Sequence, residues 1–223
     1  MDNLTLIIPA KNEAESLPIV LSELKKYNYK TDIVLHATDI DTIEAIREYE
    51  VNIVYQENFG YGDALIHGIR QCKTKYFCIF NADGSFNPSE IKKMYEALQT
   101  KKLDFIFASR YQASAGSEDD TIITLIGNYI FTYIGKIFFR LNISDILYTF
   151  VIGKTDQANI LDLKQKDFSF CVELPIKAKK MKMELGCINS YERIRIAGNK
   201  KVNAFKDGFL ILKHMVRLFF MKL

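Results

Sequence analysis

Three residues that suit metal or phosphate chemistry follow an apolar run near the middle of the chain. Asn81, Ala82 and Asp83 come directly after Tyr76 to Phe80, an uncharged run typical of a buried strand. Carboxylate and amide oxygens at a strand end can hold a hard divalent cation, and such a cation would neutralise a diphosphate leaving group. The alternative is a turn in which Asp83 and Asn87 cap the local backbone. The tripeptide alone leaves both interpretations open.

Two further loops follow apolar runs and have compositions that suit a ligand. Pro9 ends the first run, and polar residues continue to Glu13. Gly60 and Gly62 follow the third run, where glycines would let the backbone approach a phosphate or a sugar ring. For the segment after Pro9, composition alone favours an ordinary strand-to-helix loop, and for the two glycines tight-turn chemistry explains the pattern equally well.

These loops belong to a series of seven short motifs that spans nearly the whole chain. The motifs are IIPAKNE at 7–13, GYGDA at 60–64 with HG at 67–68, NAD at 81–83 with Pro88, ASRY at 108–111, SD at 144–145 with TF at 149–150, FCVELPIKA at 170–178, and RIAGNKKV at 195–202 with DG at 207–208. In this order they resemble family 2 glycosyltransferases of the GT-A fold. The resemblance is closest to the dolichol-phosphate mannosyltransferase-like branch, which acts on polyprenyl phosphates.

The resemblance implies inverting transfer of a sugar from a nucleotide-diphosphate sugar. Asp83, helped by Asn81, would hold Mg²⁺ or Mn²⁺ on the diphosphate, and Arg110 would contact a phosphate. The matched motifs imply a donor site built from Pro9, Ala10, Asn12, Glu13, Asp39, Asp41, Gly60, Gly62, Asn81 and Ala82.

The acceptor decides whether the reaction needs a base. A phosphate acceptor is already an anionic nucleophile near neutral pH, and Arg or Lys would position it. A hydroxyl acceptor requires a carboxylate that takes its proton, and Asp145 is the candidate.

Three departures from the family pattern bear on catalysis. The family has D-D-G-S after the second strand, where this chain has LHATDID at 35–41, so that Asp39 or Asp41 must substitute. Asn81 replaces the first Asp of D-A-D, which lowers the charge of the site by one. Thr149 replaces the Gly of S-G-F, and Val151 replaces a basic residue.

A basic cluster near the end of the chain suggests where an acceptor phosphate binds. Arg193 and Arg195 alternate along a predicted strand and should share a face, and a turn at Gly198 would bring Lys201 beside them. Three cations on one loop repel one another unless an anion lies between them. The alternative is a solvated basic edge that touches lipid headgroups without specificity.

The elements that would position these residues alternate between strands and helices. Apolar runs predict strands at 4–8, 32–35, 51–55, 76–80 and 103–108, and helical spacing predicts helices at 13–27, 39–49, 62–72 and from Asn87, with Asn87 as the N-cap of a near capping box. This alternation predicts an α/β fold, GT-A or Rossmann-like, with a mainly parallel sheet flanked by helices. Ligands then bind beyond the carboxyl ends of the strands.

The second half of the chain is organised differently. Helices are predicted at 121–141, 167–181 and 205–222, and a strand at 187–196. The aromatic residues of 129–139 recur at every helical phase, which indicates burial, with a membrane-facing surface as the competitor. Residues 1–202 are expected to form the GT-A domain, and residues 203–223 an amphipathic helix on a membrane surface. Docking of this helix on the domain is the alternative.

Composition supports one domain with a basic end. The 223 residues are 48% hydrophobic and carry a net charge of +3, but residues 177–223 hold twelve Lys or Arg and three Asp or Glu, so this end carries +9 and the rest −6. This asymmetry suggests a partner with phosphates, which is nucleic acid, a membrane or a phosphorylated substrate, and the family resemblance implies a lipid-phosphate acceptor at a membrane surface. No helix-turn-helix, zinc or RRM signature supports a nucleic-acid partner.

Localisation is expected at the cytoplasmic face of a membrane. The first residues have no basic n-region of a signal peptide, and the fifteen charge-free residues 121–135 are too few to cross a bilayer. The four scattered cysteines form no metal or redox motif. A nucleotide-binding protein that has lost catalysis is the rival function, because of Asn81 and the altered 35–41 segment.

Overall fold

The computed structural model describes residues 2–198 and 203–221, and a mixed sheet lies at its centre. The strands are β1 Leu4–Pro9, β2 Lys30–Leu35, β3 Asn52–Tyr55, β4 Tyr76–Ile79, β5 Phe105–Ser109, β6 Gly116–Ser117, β7 Val151–Lys154, β8 Leu185–Asn189 and β9 Tyr191–Glu192. The helices are α1 Leu17–Leu24, α2 Ile40–Ala45, α3 Tyr61–Gln71, α4 Glu90–Thr100, α5 Ile122–Phe139, α6 Thr155–Ile160, α7 Phe170–Lys180 and α8 Ala204–Phe220.

The main sheet has the strand order β3-β2-β1-β4-β7-β5-β8. Its strands pair in parallel except β7, which runs antiparallel to both β4 and β5. The predicted α/β architecture with a mainly parallel sheet is therefore confirmed. The small strands β6 and β9 pair separately.

Alternation along the strands distributes the core between the two faces of the sheet. In β1, Leu6 and Ile8 join a cluster with α1 and α4, whereas Ile7 joins the cluster of α3 and α7 on the other face. Because strands covered on both faces are apolar throughout, the sequence showed them as continuous runs. The buried side of α8 also packs into the cluster of α3 and α7, through Met215.

The start of α4 differs from the predicted capping box, although Asn87 caps the local backbone as the turn interpretation expected. Asn87 is not the N-cap of α4. Its Oδ1 accepts hydrogen bonds from the backbone N and the Oγ of Ser89, which is the N-cap, and the helix begins at Glu90. The Glu90 carboxylate accepts from Ser190 and Tyr191 instead of closing a capping box.

Element boundaries differ most in the second half. The strand β7 was missed because Gly153 and Lys154 interrupt its apolar run after two residues, although its pairing separates β4 from β5. The predicted strand at 187–196 is two short strands, β8 and β9. The predicted helix at 13–27 is the shorter α1 followed by a 3-10 turn, and α2 ends several residues before the predicted Tyr49.

The C-terminal helix α8 docks on the domain through one side only. Ile211, Met215 and Leu218 are buried, and the Phe219 ring contacts the rings of Phe138 and Phe139 in α5. The division at residues 202 and 203 falls beside the undescribed segment and stays a prediction.

Candidate functional site

The loops after β1 and β2 lie side by side at the carboxyl edge of the sheet. The backbone N–H of Asn12, which adopts φ 52°, donates to Asp39 Oδ2 at 2.7 Å. The N–H of Glu13 donates to Thr42 Oγ1 at 2.9 Å, and that of Ala10 donates to the Val34 carbonyl at 2.9 Å. The structure thus brings Asp39 into contact with the loop that follows Pro9.

Asp41 is not joined to this pair of loops. It lies exposed in the first turn of α2. Within residues 2–198 and 203–221, no hydrogen bond connects it to residues 9–13. Between the two candidates for the missing acidic motif, the structure therefore favours Asp39.

The glycines before and within the first turn of α3 allow a close approach between two backbone segments. Gly60 has φ +138°, and a Cβ there would lie 2.1 Å from the Lys166 carbonyl oxygen. A Cβ at Gly62 would lie 2.1 Å from the Gln165 carbonyl oxygen. The close approach that requires glycine is thus made by the protein's own backbone, which agrees with the tight-turn alternative, and the role of these glycines in a donor site stays a prediction.

Asn81 and Asp83 lie just beyond β4, with the buried Ala82 between them. Asp83 Oδ1 accepts from the backbone N of Ser85 at 3.0 Å and from its Oγ at 2.7 Å, which fixes the carboxylate. Its Oδ2 lies 3.6 Å from Arg195 Nη1. Asn81 Oδ1 accepts from the Tyr61 hydroxyl at 3.2 Å.

This donor set fits a cation that arrives with its substrate. Within residues 2–198 and 203–221, no three His, Cys, Asp or Glu side chains form a metal cage. Mg²⁺ is commonly held by one or two protein carboxylates, with substrate phosphates and waters as the remaining ligands. Asp83 meets that requirement once a diphosphate is present.

Arg110 and Asp145 form a buried ion pair with each other. Asp145 is fully buried, and its two oxygens accept from Arg110 Nε at 2.7 Å and Nη2 at 3.1 Å. Arg110 Nη1 also donates to Glu192 at 3.0 Å and lies 3.4 Å from Asp120. A sealed carboxylate cannot take a proton from a substrate, so the assignment of Asp145 as base is wrong. The predicted phosphate contact of Arg110 fails because three carboxylates surround its guanidinium.

The electrostatics of this cluster follow from its burial. Burial alone would lower the pKa of Arg110, but Asp145 and Glu192 hold that pKa well above its usual range. Burial raises the pKa of Glu192, against the lowering effect of Arg110. The cluster therefore ties together the ends of β5 and β9 as a structural ion-pair network.

The predicted basic cluster is divided by carboxylates. Arg193 donates to both oxygens of Glu23 at 2.9 Å and to the Phe86 carbonyl at 2.6 Å. Arg195 donates to Asp119 at 2.9 and 3.2 Å and stands beside Asp83. The argument that an anion must separate these arginines was wrong, because each already has acidic partners. Lys201 lies outside the described residues.

The backbone of residues 193–196 is hydrogen-bonded to the segment 83–85. The N–H of Arg193 donates to the Ser85 carbonyl, and that of Ile196 donates to the Asp83 carbonyl, both at 2.8 Å. Ile196 also packs on Gly84. A Cβ added at Gly84 would lie 2.3 Å from Cδ1 of Ile196. Arg195 is thereby held over the end of β4.

Sequence reasoning missed two aromatic groups at this edge. The rings of His36 and Phe59, at the ends of β2 and β3, stack with centroids 4.1 Å apart, and Phe59 is largely exposed. Tyr61, between the two glycines, was treated as an unspecified position although its hydroxyl reaches Asn81. An aromatic residue after each of two neighbouring strands was the available signal for the first group.

A broad apolar surface lies on α5 and α8. The exposed large apolar residues are Ile122, Ile123, Ile126, Tyr129, Ile130, Tyr133, Ile137 and Phe138 of α5, and Phe205, Phe209, Leu212, Val216, Phe219 and Phe220 of α8. The α8 set is spaced along one face of the helix, as expected of an amphipathic helix. The expected burial of α5 was wrong, because only Asn128, Thr132, Gly135 and Phe139 are buried.

Helix α5 is longer than the charge-free stretch suggested. It continues through Lys136 to Phe139, and its 18 residues are long and apolar enough to cross a membrane by length and composition. The prediction that it is too short was therefore wrong by that measure. Core helices of soluble proteins pass the same test, and α5 packs against α7 and α8.

Comparisons with known proteins agree with this architecture. The model of the family described as Glycosyl transferase family 2 matches residues 5–158. An uncharacterized protein of Methanocaldococcus jannaschii is 28% identical over 82% of this chain and 79% of its own. The UDP-N-acetylglucosamine–dolichyl-phosphate N-acetylglucosaminyltransferase of Methanococcus voltae is 23% identical over 81% of this chain and 82% of its own.

A solved structure shares the fold at low identity. Glucosyl-3-phosphoglycerate synthase of Mycobacterium tuberculosis, in complex with Mn²⁺, UDP and phosphoglyceric acid, superposes with a TM-score of 0.75 at 12% identity. The match covers 99% of this chain and 80% of that one. The fold is the predicted GT-A fold.

Proposed function

Since the chain belongs to glycosyl transferase family 2 and is a glycosyltransferase, we propose that it transfers a sugar with inversion from a nucleotide-diphosphate sugar to a polyprenyl phosphate. The observation that carries the proposal is the convergence of Asp83, Asn81 and the 9–13 loop at the carboxyl edge of the sheet. Open α/β sheets bind their ligands at this edge.

The donor site is proposed to have two parts, one that holds the cation and one that binds the base of the nucleotide. Asp83 would hold Mg²⁺ or Mn²⁺, which supplies charge neutralisation of the diphosphate when bound. Asp39 fixes the backbone at Asn12 and so shapes the loop after β1. The exposed face of the His36–Phe59 stack offers a platform for the nucleotide base.

A phosphate acceptor is favoured over a hydroxyl acceptor. Asp145, the nominated base, is sealed by Arg110, whereas an ionised phosphate needs no base. The relative from Methanococcus voltae is named for transfer to dolichyl phosphate. The Mycobacterium tuberculosis structure holds phosphoglyceric acid.

Arg195 is the described cation best placed to meet the acceptor phosphate. It stands beside Asp83, where the leaving diphosphate would lie, and its side chain keeps partial exposure. Lys201 is proposed to join it. Arg193 is withdrawn from this role because Glu23 and the Phe86 carbonyl engage its guanidinium.

The surface on α5 and α8 supports a location at a membrane, where a polyprenyl phosphate resides. Lys206, Lys213 and Arg217 lie on α8 together with its exposed phenylalanines. A helix with apolar residues and flanking cations suits the lipid interface. We propose peripheral attachment through this surface, at the cytoplasmic face.

The activity is tested by transfer from UDP-sugars and GDP-sugars to polyprenyl phosphate with Mn²⁺. Transfer that stops in excess chelator is the expected result. Transfer only to hydroxyl sugars would overturn the phosphate acceptor. Binding of nucleotide without any transfer would instead favour a protein that has lost catalysis, as the Asn81 and 35–41 departures suggest.

Membrane attachment is tested by co-sedimentation with vesicles of phosphatidylcholine and phosphatidylglycerol. The double variant Phe205→Glu/Phe209→Glu should lower the vesicle partition constant at least about tenfold, because each phenylalanine contributes about 1.5–3 kcal/mol when buried in lipid. Ile160→Glu, an exposed apolar position on α6, is the matched control and should bind normally. Wild-type protein that stays in the supernatant at low salt would contradict the proposal.

A further inference from the structure

Two positions at which this chain departs from the family pattern meet through one hydroxyl. The Tyr61 hydroxyl lies 3.2 Å from Asn81 Oδ1 and 2.6 Å from Thr149 Oγ1. Asn81 and Thr149 are 68 positions apart in the chain, and each replaces the residue that the family motif has there. Their contact through Tyr61 suggests that the two replacements work together.

The Tyr61 side chain is held firmly. It is the first residue of α3, and its ring stacks on Phe168 with centroids 5.1 Å apart. The backbone of residues 165–167 packs against the glycines on either side, and the N–H of Asp63 donates to the Lys166 carbonyl at 3.1 Å. The ring therefore presents its hydroxyl to Asn81 in a fixed position.

The number of protons fixes the direction of these hydrogen bonds. An amide oxygen only accepts, so the single Tyr61 proton goes to Asn81 Oδ1. Thr149 must then donate to the Tyr61 oxygen. With its oxygen engaged, Asn81 presents Nδ2 on the other side of the amide, and within residues 2–198 and 203–221 that nitrogen makes no hydrogen bond.

We infer that Tyr61 and Thr149 are positioning residues that hold Asn81 as a hydrogen-bond donor to the diphosphate of the sugar nucleotide, which leaves the cation to Asp83. The inference rests on the proposed function and deepens it. A carboxylate at position 81 would repel a diphosphate unless a cation lay between them, whereas an amide N–H binds phosphate oxygen directly.

The alternative role for Asn81, a metal ligand, differs in its dependence on metal. An amide that donates to the diphosphate contributes to nucleotide affinity with or without a cation. An amide oxygen that binds the cation contributes only when the cation is present. Binding of UDP, with GDP as a second probe, is therefore measured by calorimetry in Mn²⁺ and in excess EDTA.

The first arm removes the amide. Asn81→Ala should weaken nucleotide binding about threefold to tenfold in EDTA, the effect of one lost hydrogen bond. Asn81→Asp should weaken binding in EDTA and recover it in Mn²⁺. An Asn81→Ala loss seen only in Mn²⁺ would overturn the inference in favour of a metal ligand.

The second arm removes the hydroxyls that position the amide. Tyr61→Phe keeps the ring on Phe168, and Thr149→Val keeps the branched shape, so both should fold and show a smaller loss of affinity than Asn81→Ala. Tyr61→Phe/Asn81→Ala should bind no more weakly than Asn81→Ala, because Tyr61 acts through Asn81. Tyr49→Phe, which removes a hydroxyl paired with Ser22 on the far side of α1, is the matched control.

The outcomes separate the two claims. Wild-type protein that binds neither UDP nor GDP in Mn²⁺ would remove the proposed function, and the inference with it. Wild-type binding with unchanged affinity in Tyr61→Phe and Thr149→Val would overturn the inference alone. Additive losses in the double variant would also overturn it, because they would place Tyr61 in separate contact with the nucleotide.

Discussion

Two arginines stand among carboxylates near the carboxyl edge of the sheet, in different surroundings. Arg110 follows β5, is 8% exposed in its side chain and shares a bidentate pair with the sealed Asp145. Arg195 crosses the end of β4, is 22% exposed, and meets Asp83 at 3.6 Å without a hydrogen bond. The same residue types thus build a closed cluster after β5 and an open one after β4.

The difference shows why residue type does not assign a role by itself. A buried charge must have all its partners built into the fold, since an unpaired one costs several kcal/mol. Such a charge has no capacity left for a substrate. A partly exposed pair costs less to separate, so the open cluster can exchange a protein partner for a ligand. We therefore expect substitutions in the closed cluster to lower the free energy of unfolding, and substitutions in the open cluster to lower transfer activity.

The largest effect is expected from breaking the closed cluster. Arg110→Ala leaves Asp145 buried and unpaired, so the free energy of unfolding should fall by about 3–5 kcal/mol, measured from urea denaturation. Lys92→Ala breaks the exposed Lys92–Glu96 pair and should cost less than about 1 kcal/mol. Equal urea midpoints for Arg110→Ala and wild type would erase the distinction between the clusters.

The next effect concerns the open cluster. Asp83→Ala removes the carboxylate proposed to hold the cation, so transfer should fall at least about a hundredfold. The melting temperature should shift little, because the variant loses the local Ser85 hydrogen bonds and the 3.6 Å contact with Arg195, which keeps its pair with Asp119. Asp156→Ala, an exposed carboxylate in the first turn of α6, serves as the control. Full activity of Asp83→Ala would refute the metal role.

A smaller effect distinguishes the two arginines of the 193–195 segment. Arg195→Ala should lower kcat or raise the acceptor KM at least about tenfold, with donor affinity nearly unchanged, because a charge-assisted hydrogen bond contributes about 1.5–3 kcal/mol. Arg193→Ala should instead lower stability and leave the acceptor KM near the wild-type value, since its guanidinium binds Glu23. If Arg193→Ala and Arg195→Ala changed kcat or the acceptor KM equally, both arginines would again belong to a single phosphate-binding cluster.

The predictable part of the molecule is the part that local sequence controls. The parallel sheet could be predicted because strands buried on both faces are apolar throughout, as in residues 76–79. The position of Asp83 after β4 followed from the same pattern, because carboxyl ends of parallel strands share an edge. The strand β7 has the same length as β4, but Gly153 and Lys154 interrupt its apolar run after Val151 and Ile152.

Pairings between distant residues could not be predicted. The closure of Asp145 by Arg110 joins residues 35 positions apart, and the Arg193–Glu23 pair joins residues 170 apart. A motif shows which residue types are present, but burial and partner choice depend on how the elements pack. The Gly60 loop shows the same limit, because its close contact is with the Lys166 carbonyl, in a segment distant in the chain.

The sequence by itself determined the α/β class, the family resemblance and the edge of the sheet where chemistry is placed, because periodicity and short motifs are local properties of the chain. Only the tertiary structure decided which charges are available. It sealed Asp145, tied Arg193 to Glu23, left Arg195 beside Asp83 and exposed the apolar faces of α5 and α8. The physical reason is that desolvation and pairing arise between segments far apart in the chain, and they set the free energy of each charge.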